Sequence, residues 1–157
     1  MFVTVGVLLI VQAGPGGSGL VGRQAPDVSG PTLDGASLSL ADYRGRPVIV
    51  NFWGPSCVPC RDEFPVLLAK LEQHAGDDLA VIGVLTDDPP EPARAFVAEM
   101  GASWPTVIDE DQAIRRSYSV FARPYSFFID RDGVLRSIQI GEVQDAAFER
   151  QYALISA

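Results

Sequence analysis

The chain has 157 residues, 47% of them apolar, which suits one domain closed around one core. Twenty acidic against twelve basic residues give a net charge of −8, and no basic block occurs. That balance argues against nucleic acid and against an anionic membrane surface as partners, and fits a well-solvated acidic exterior.

The chain opens on an almost wholly apolar run, Phe2 to Ala13, which is too short to span a bilayer but has the length of an export-signal core. Val11-Gln12-Ala13 places small residues for cleavage after Ala13. The first basic residue is Arg23, so the usual basic flank of a signal is missing, and the run reads as a signal or anchor remnant. A buried strand is the bland alternative, but the glycine-rich stretch Gly14 to Gly19 would cut it off from a sheet. Gly14, Gly16 and Gly19 spell G-x-G-x-x-G, yet no helix follows to bind a pyrophosphate, so this is a linker. The expected organisation is residues 1–20 as leader and linker and residues 21–157 as the domain.

Within the domain, Thr32-Leu33-Asp34-Gly35 carries a hairpin-type Asp-Gly turn, and Ser39 to Tyr43 predicts one short helical turn. Val48 to Trp53 is apolar except for Asn51 and should be a central strand. Cys57 to about Ala75 reads as a helix, with Phe64, Leu67, Leu68 and Leu71 at helical spacing and a kink expected at Pro65. Leu79 to Leu85 predicts a second buried strand. Pro92 to Met100 predicts a helix, with Pro near its start and Gly101 past its end, and Ile114 to Tyr118 a shorter one. Tyr125 to Ile129 and Val134 to Ile140 predict strands joined by Asp130-Arg131-Asp132-Gly133, read as a turn rather than a calcium loop. Asp145 to Ile155 predicts the last helix. The class is α/β, with a final hairpin that makes the sheet mixed.

Cys57 and Cys60 are the only cysteines, and they stand where a strand gives way to a helix. Cys57 falls in the opening turn, where free backbone N–H groups and the helix dipole favour a thiolate. Cys60 lies one turn further in, close enough to close a disulfide. A zinc site would need ligands that the chain lacks, since His74 is its sole histidine. A purely structural disulfide would gain little from so short a loop. Glu63 follows Cys60 by three residues on the same helical face, where it either serves the dithiol as a proton acceptor or is a solvated partner of the dipole. Arg61 and Asp62 read as surface residues.

The run Gly45-Arg46-Pro47-Val48-Ile49-Val50-Asn51-Phe52-Trp53, followed by Cys57-Val58-Pro59-Cys60, resembles the thioredoxin superfamily, and within it the extracytoplasmic TlpA/ResA-like thiol-disulfide oxidoreductases. Gly22-Arg23-Gln24-Ala25-Pro26-Asp27, Leu33-Asp34-Gly35 before Leu38-Ser39-Leu40, Arg123-Pro124-Tyr125-Ser126-Phe127-Phe128-Ile129-Asp130 and Asp132-Gly133 extend the likeness from about Val21 to Gly141. The resemblance implies a thioredoxin fold with an N-terminal hairpin extension and a family insertion near Asp87 to Tyr118. It also implies Pro124 as a cis-proline facing the dithiol, Glu63 as the acid that tunes it, and a substrate groove bordered by Trp53, Ser56, Pro59 and Arg123. Two positions depart from the family pattern: Ser56 replaces the usual Trp before the first cysteine, and Arg123 replaces a small or β-branched residue before the proline. The Arg123 guanidinium is expected either to approach the Cys57 sulfur or an acidic substrate segment, or to point to solvent. Asn51 stands where cytosolic thioredoxins carry a buried acid.

The expected activity is thiol-disulfide exchange, in the reducing direction, by a monomer. Its substrates would be exported protein disulfides or dithiols, apocytochrome c and cupredoxin-type proteins among them, with a membrane electron donor or acceptor. No cofactor is expected beyond the Cys57–Cys60 disulfide, and no metal. Three alternatives are an oxidant of exported proteins, a peroxiredoxin, and a non-catalytic binding module. The peroxiredoxin reading is weakened by Gly54, which stands where such an enzyme needs a hydroxyl side chain.

Overall fold

The computed structural model describes residues 17–157. The apolar run Phe2 to Ala13 and most of the glycine-rich stretch lie outside the described residues. Short strands β1 (Ser29–Pro31) and β2 (Ser37–Ser39) pair as the Asp-Gly hairpin, with Gly35 at a φ of 85° in its turn. A five-stranded sheet follows, built from β3 (Val48–Trp53), β4 (Ala80–Leu85), β5 (Thr106–Ile108), β6 (Tyr125–Ile129) and β7 (Leu135–Ile140). Its spatial order is β5-β4-β3-β6-β7: β4 runs parallel to both β3 and β5, while β6 is antiparallel to β3 and β7. The helices are α1 (Val58–Gln73), α2 (Pro90–Met100), α3 (Ala113–Ser117) and α4 (Asp145–Tyr152).

All six residues of β3 are buried, because both faces of the central strand are covered. Ile49 and Trp53 face a core shared with Phe64, Leu67, Phe96 and Phe148 from α1, α2 and α4. Val48, Val50 and Phe52 point the other way, toward Tyr118 and Phe127. Asn51 is the one polar residue on the α1 side, and its register partner across to β6 is Ser126. Helix α1 buries Cys60, Glu63, Phe64 and Leu67, the i, i+3, i+4, i+7 stripe that turns one face to the sheet. Phe64 sits within 5.0 Å of the rings of Trp53, Phe96 and Trp104, and its full burial contributes about 2–3 kcal/mol.

Several elements depart from the sequence expectations, and the last helix ends at Tyr152, three residues short of Ile155. Strand β5 was not anticipated: three β-branched or apolar residues after Pro105 are too short a run to register as a period. Helix α2 starts at Pro90, two residues early, because proline at the first helical position gives up no hydrogen bond. Gly17 to Leu20, expected to be linker, belong to the packed domain. Gly17 is buried against Tyr118, Phe127 and Ile138 with a φ of 73°, Ser18–Leu20 form a single 3-10 turn, and Leu20 packs on the core.

The segment between Gly22 and Leu33 wraps the sheet. It bonds to one edge through Gly22 N–H to Leu135 and Leu135 N–H to Arg23, and bridges Gln24 to Val134. It meets the other edge where Thr32 bridges Val107 and Leu33 N–H donates to Thr106. Among the described residues no helix is long and apolar enough to cross a membrane.

Candidate functional site

The parallel pairing of β3 with β4, and the antiparallel entry of β6, bring three loops together at one end of the sheet. These are Gly54 to Cys57 after β3, Thr86 to Asp88 after β4, and Arg123-Pro124 before β6. Open α/β sheets place their sites at this carboxyl end of the parallel strands.

Cys57 is the N-cap of α1 and is joined to Cys60 by a disulfide. Its Sγ accepts a hydrogen bond from Cys60 N–H at 3.2 Å, so the cap position that usually holds a hydroxyl or carboxylate oxygen holds a sulfur. The amide and the helix dipole both favour negative charge on that sulfur. The two sulfurs differ in access: Cys57 is 8% exposed, whereas Cys60 is completely buried. Val58 and Pro59 between them are exposed, as is Ser56 before them.

Glu63 is completely buried one turn after Cys60, which excludes the solvated reading of this residue. Asn51 Nδ2 donates to Glu63 Oε1 at 2.7 Å, and the Val143 amide donates to Oε2 at 3.0 Å. Asn51 Nδ2 also donates to Ser126 Oγ at 3.0 Å, joining α1, β3 and β6 in one polar network beneath the dithiol. Burial pushes the Glu63 pKa from 4.5 up to about 7, although both donors favour the carboxylate. An acid with that pKa exchanges its proton near neutrality, which suits it to proton transfer with a neighbouring thiol.

The Arg123-Pro124 peptide is cis, and Pro124 is buried. The Arg123 side chain does not point to solvent but turns in toward the loop before Cys57. Its Nη1 donates to Asp88 Oδ2 at 2.6 Å and to the Thr86 carbonyl at 2.7 Å, and Nη2 donates to Ser56 Oγ at 3.1 Å. Asp88 was not singled out from the sequence, because nothing local marks one acid of the Asp87-Asp88 pair as reaching Ser56 on the loop before Cys57. Trp53 requires a correction. Expected at the groove, it is fully buried between Phe64 and Phe96, because it is the last residue of the central strand and faces the helices. Ser56 and Pro59 are exposed on either side of Cys57, and Arg123 is half-buried against Ser56. Among the described residues no group of three or more His, Cys, Asp or Glu is placed to hold a metal ion.

A dithiol at the head of a helix, on the central strand of this mixed sheet and beside a cis-proline loop, defines a thiol-disulfide oxidoreductase of thioredoxin fold. The model described as the AhpC/TSA family matches residues 21–138, three quarters of the chain, and the protein belongs to that family. Among curated relatives, the thioredoxin-like protein YneN of Bacillus subtilis is 35% identical over 136 residues, covering 85% of this chain and 79% of that one. The thiol-disulfide oxidoreductase ResA of Bacillus anthracis is 33% identical over 122 residues, 78% of this chain and 70% of the other. A solved structure described as a putative thiol:disulfide interchange protein DsbE from Chlorobium tepidum superposes with a TM-score of 0.80 at 29% identity, covering 87% of this chain and 98% of that one.

Proposed function

We propose that the protein reduces disulfides in exported partner proteins, with Cys57 as the attacking thiol and Cys60 as the resolving one. The observation that carries this reading is the difference in access between the two sulfurs above a buried acid of near-neutral pKa. Cys57 thiolate attacks one sulfur of the partner disulfide, forming a Cys57–partner bond and expelling the other partner sulfur as a thiolate, which takes a proton. Cys60 passes its proton toward Glu63 and attacks the Cys57 sulfur, releasing the second partner thiol. Two electrons have then moved from the enzyme to the partner, and a dithiol donor restores the reduced enzyme. The cysteines themselves carry the electrons, so the cycle needs no further cofactor. Pro124, cis and buried after Arg123, shapes the loop against which the partner segment lies. Export is supported by the apolar run at Phe2 to Ala13.

Cys60→Ser tests the proposal, because it removes the resolving thiol and strands the partner on Cys57. Exported proteins released by reductant from the trapped variant, and absent from a Cys57→Ser control, are the expected result. A reduction potential near about −120 mV rather than −270 mV would instead make the protein an oxidant.

A further inference from the structure

The Arg123–Asp88 pair lies against the loop that delivers Cys57, with side chains only 15% and 12% exposed. Asp88 Oδ2 accepts from Arg123 Nη1, from Ser56 Oγ at 2.8 Å and from the Ser56 amide at 3.2 Å. Arg123 also reaches Ser56 Oγ, so both charges converge on the residue immediately before the cysteine. Gly54 belongs to the same arrangement. A Cβ there would overlap Arg123 Nη1 and Asp88 Oδ2, and only glycine leaves the pair its seat. Asp87 and Arg115 form a second pair behind the first, so the cluster carries two charges of each sign. Arg61 and Asp62 on the first turn of α1 are exposed, and Arg61 is bonded to Glu99. The remaining acid near the dithiol, Glu63, lies on the opposite, buried side of the helix.

We infer that Asp88 is a positioning residue of the dithiol site, and that Arg123 and Asp88, bridged by Ser56, act on Cys57 as one neutral unit whose halves push its acidity in opposite directions. This rests on the reading of Cys57 as the attacking thiol. Arg123 alone stabilises a neighbouring thiolate, and Asp88 alone opposes it. Paired, they cancel at the sulfur while still fixing the Ser56 backbone. Burial works against ionisation of Asp88, but the Arg123 and Ser56 donors outweigh it and hold the carboxyl below its usual range. The carboxylate is thus charged throughout the range in which a thiol titrates.

The test is the Cys57 pKa of the reduced protein, read from the pH dependence of alkylation, in Asp88→Asn, Arg123→Gln, the double variant and Arg123→Lys. Asp88→Asn keeps an oxygen for the Ser56 amide and should lower the pKa by about half a unit to one unit; Arg123→Gln should raise it by a similar amount. At a fixed pH below the pKa that is a three- to tenfold change in thiolate fraction, in opposite directions. The reduction potential should become less negative in the first variant and more negative in the second. The double variant and Arg123→Lys should return close to the wild type. Loss of structure alone would move both single variants the same way, and that outcome, or no shift in either, overturns the inference. If only the double variant folds, a shift of a full unit in it does the same. Alkylation needs no partner protein, so this result is independent of the direction of electron flow. Labelling at Cys60 in preference to Cys57 would instead defeat the underlying reading.

Discussion

Replacing Glu63 by Gln removes a titrating group while keeping its shape, and the effect should be read as a change in how stability depends on pH. A carboxyl whose pKa rises from 4.5 in the unfolded chain to about 7 in the folded one holds a proton that the unfolded chain has already released. The folded state therefore binds more protons between those values, and stability falls as pH rises through that window. The contribution is fully present below about pH 4.5 and lost above about pH 7, and its size is about 3 kcal/mol. Gln adds a separate, constant effect. Its oxygen can accept from Asn51 or from the Val143 amide but not from both, so one buried donor loses its partner, at about 1–3 kcal/mol. Guanidinium unfolding of the oxidised protein and of the variant, from pH 4.5 to 8, separates the two effects. The wild type should be the more stable at pH 4.5 and should lose about 3 kcal/mol of that lead by pH 8, so that the curves converge. Asp88, Asp130 and Glu149, whose carboxyls are held low by their partners, are common to both proteins and cancel in the difference. Parallel curves would refute the assignment of a raised pKa to Glu63.

In the reduced protein, iodoacetamide at neutral pH should modify Cys57 at least about tenfold faster than Cys60, because only Cys57 keeps any exposure and its sulfur accepts from the Cys60 amide; comparable rates in peptide mass spectrometry would reverse the roles. Gly54→Ala should displace the Arg123–Asp88 pair and cost about 1–3 kcal/mol in the denaturant midpoint, whereas a midpoint within error of the wild type would show that the pair can move aside. Removal of residues 1–16 should leave the melting curve and insulin-reduction activity intact. Removal of residues 1–20 should destabilise the domain by about 1–2 kcal/mol through loss of Leu20 packing, and equal stability of the two would return Gly17 to Leu20 to the linker.

The sequence carried the order of elements apart from β5, and the place of the dithiol, because both are written in short-range pattern. Val48 to Trp53 is apolar except for Asn51, Asp34-Gly35 marks the hairpin, and the Cys57 to Cys60 motif follows at the joint. What it could not carry was built through space. Glu63 stood out by its spacing, but its environment depends on Asn51, 12 residues away, and on Val143, 80 residues away. The asparagine that seemed to close one route to a buried acid is the residue that holds such an acid from the neighbouring helix. Arg123 could be flagged as unusual, yet its partner Asp88 lies 35 residues back, on a loop that only the parallel pairing of β3 and β4 brings alongside. Trp53 was misplaced for a related reason: periodicity shows that a strand is buried but not which face its last side chain takes.

The wrapping of the sheet by the segment from Gly22 to Leu33 bears on how such a protein survives its clients. A thiol-disulfide oxidoreductase that acts on protein clients meets chains that are incompletely folded and carry unpaired strands, and an open sheet edge invites such a strand to add itself by backbone hydrogen bonding. Here the domain's own chain occupies the start of β7 and two of the three residues of β5, so the bonds a client would seek there are already taken. Contact is thereby directed to the loop end, where in the proposed cycle a client would be held by one covalent bond that Cys60 breaks. Turnover then depends on chemistry that reverses within the site, and not on peeling a partner away from the sheet.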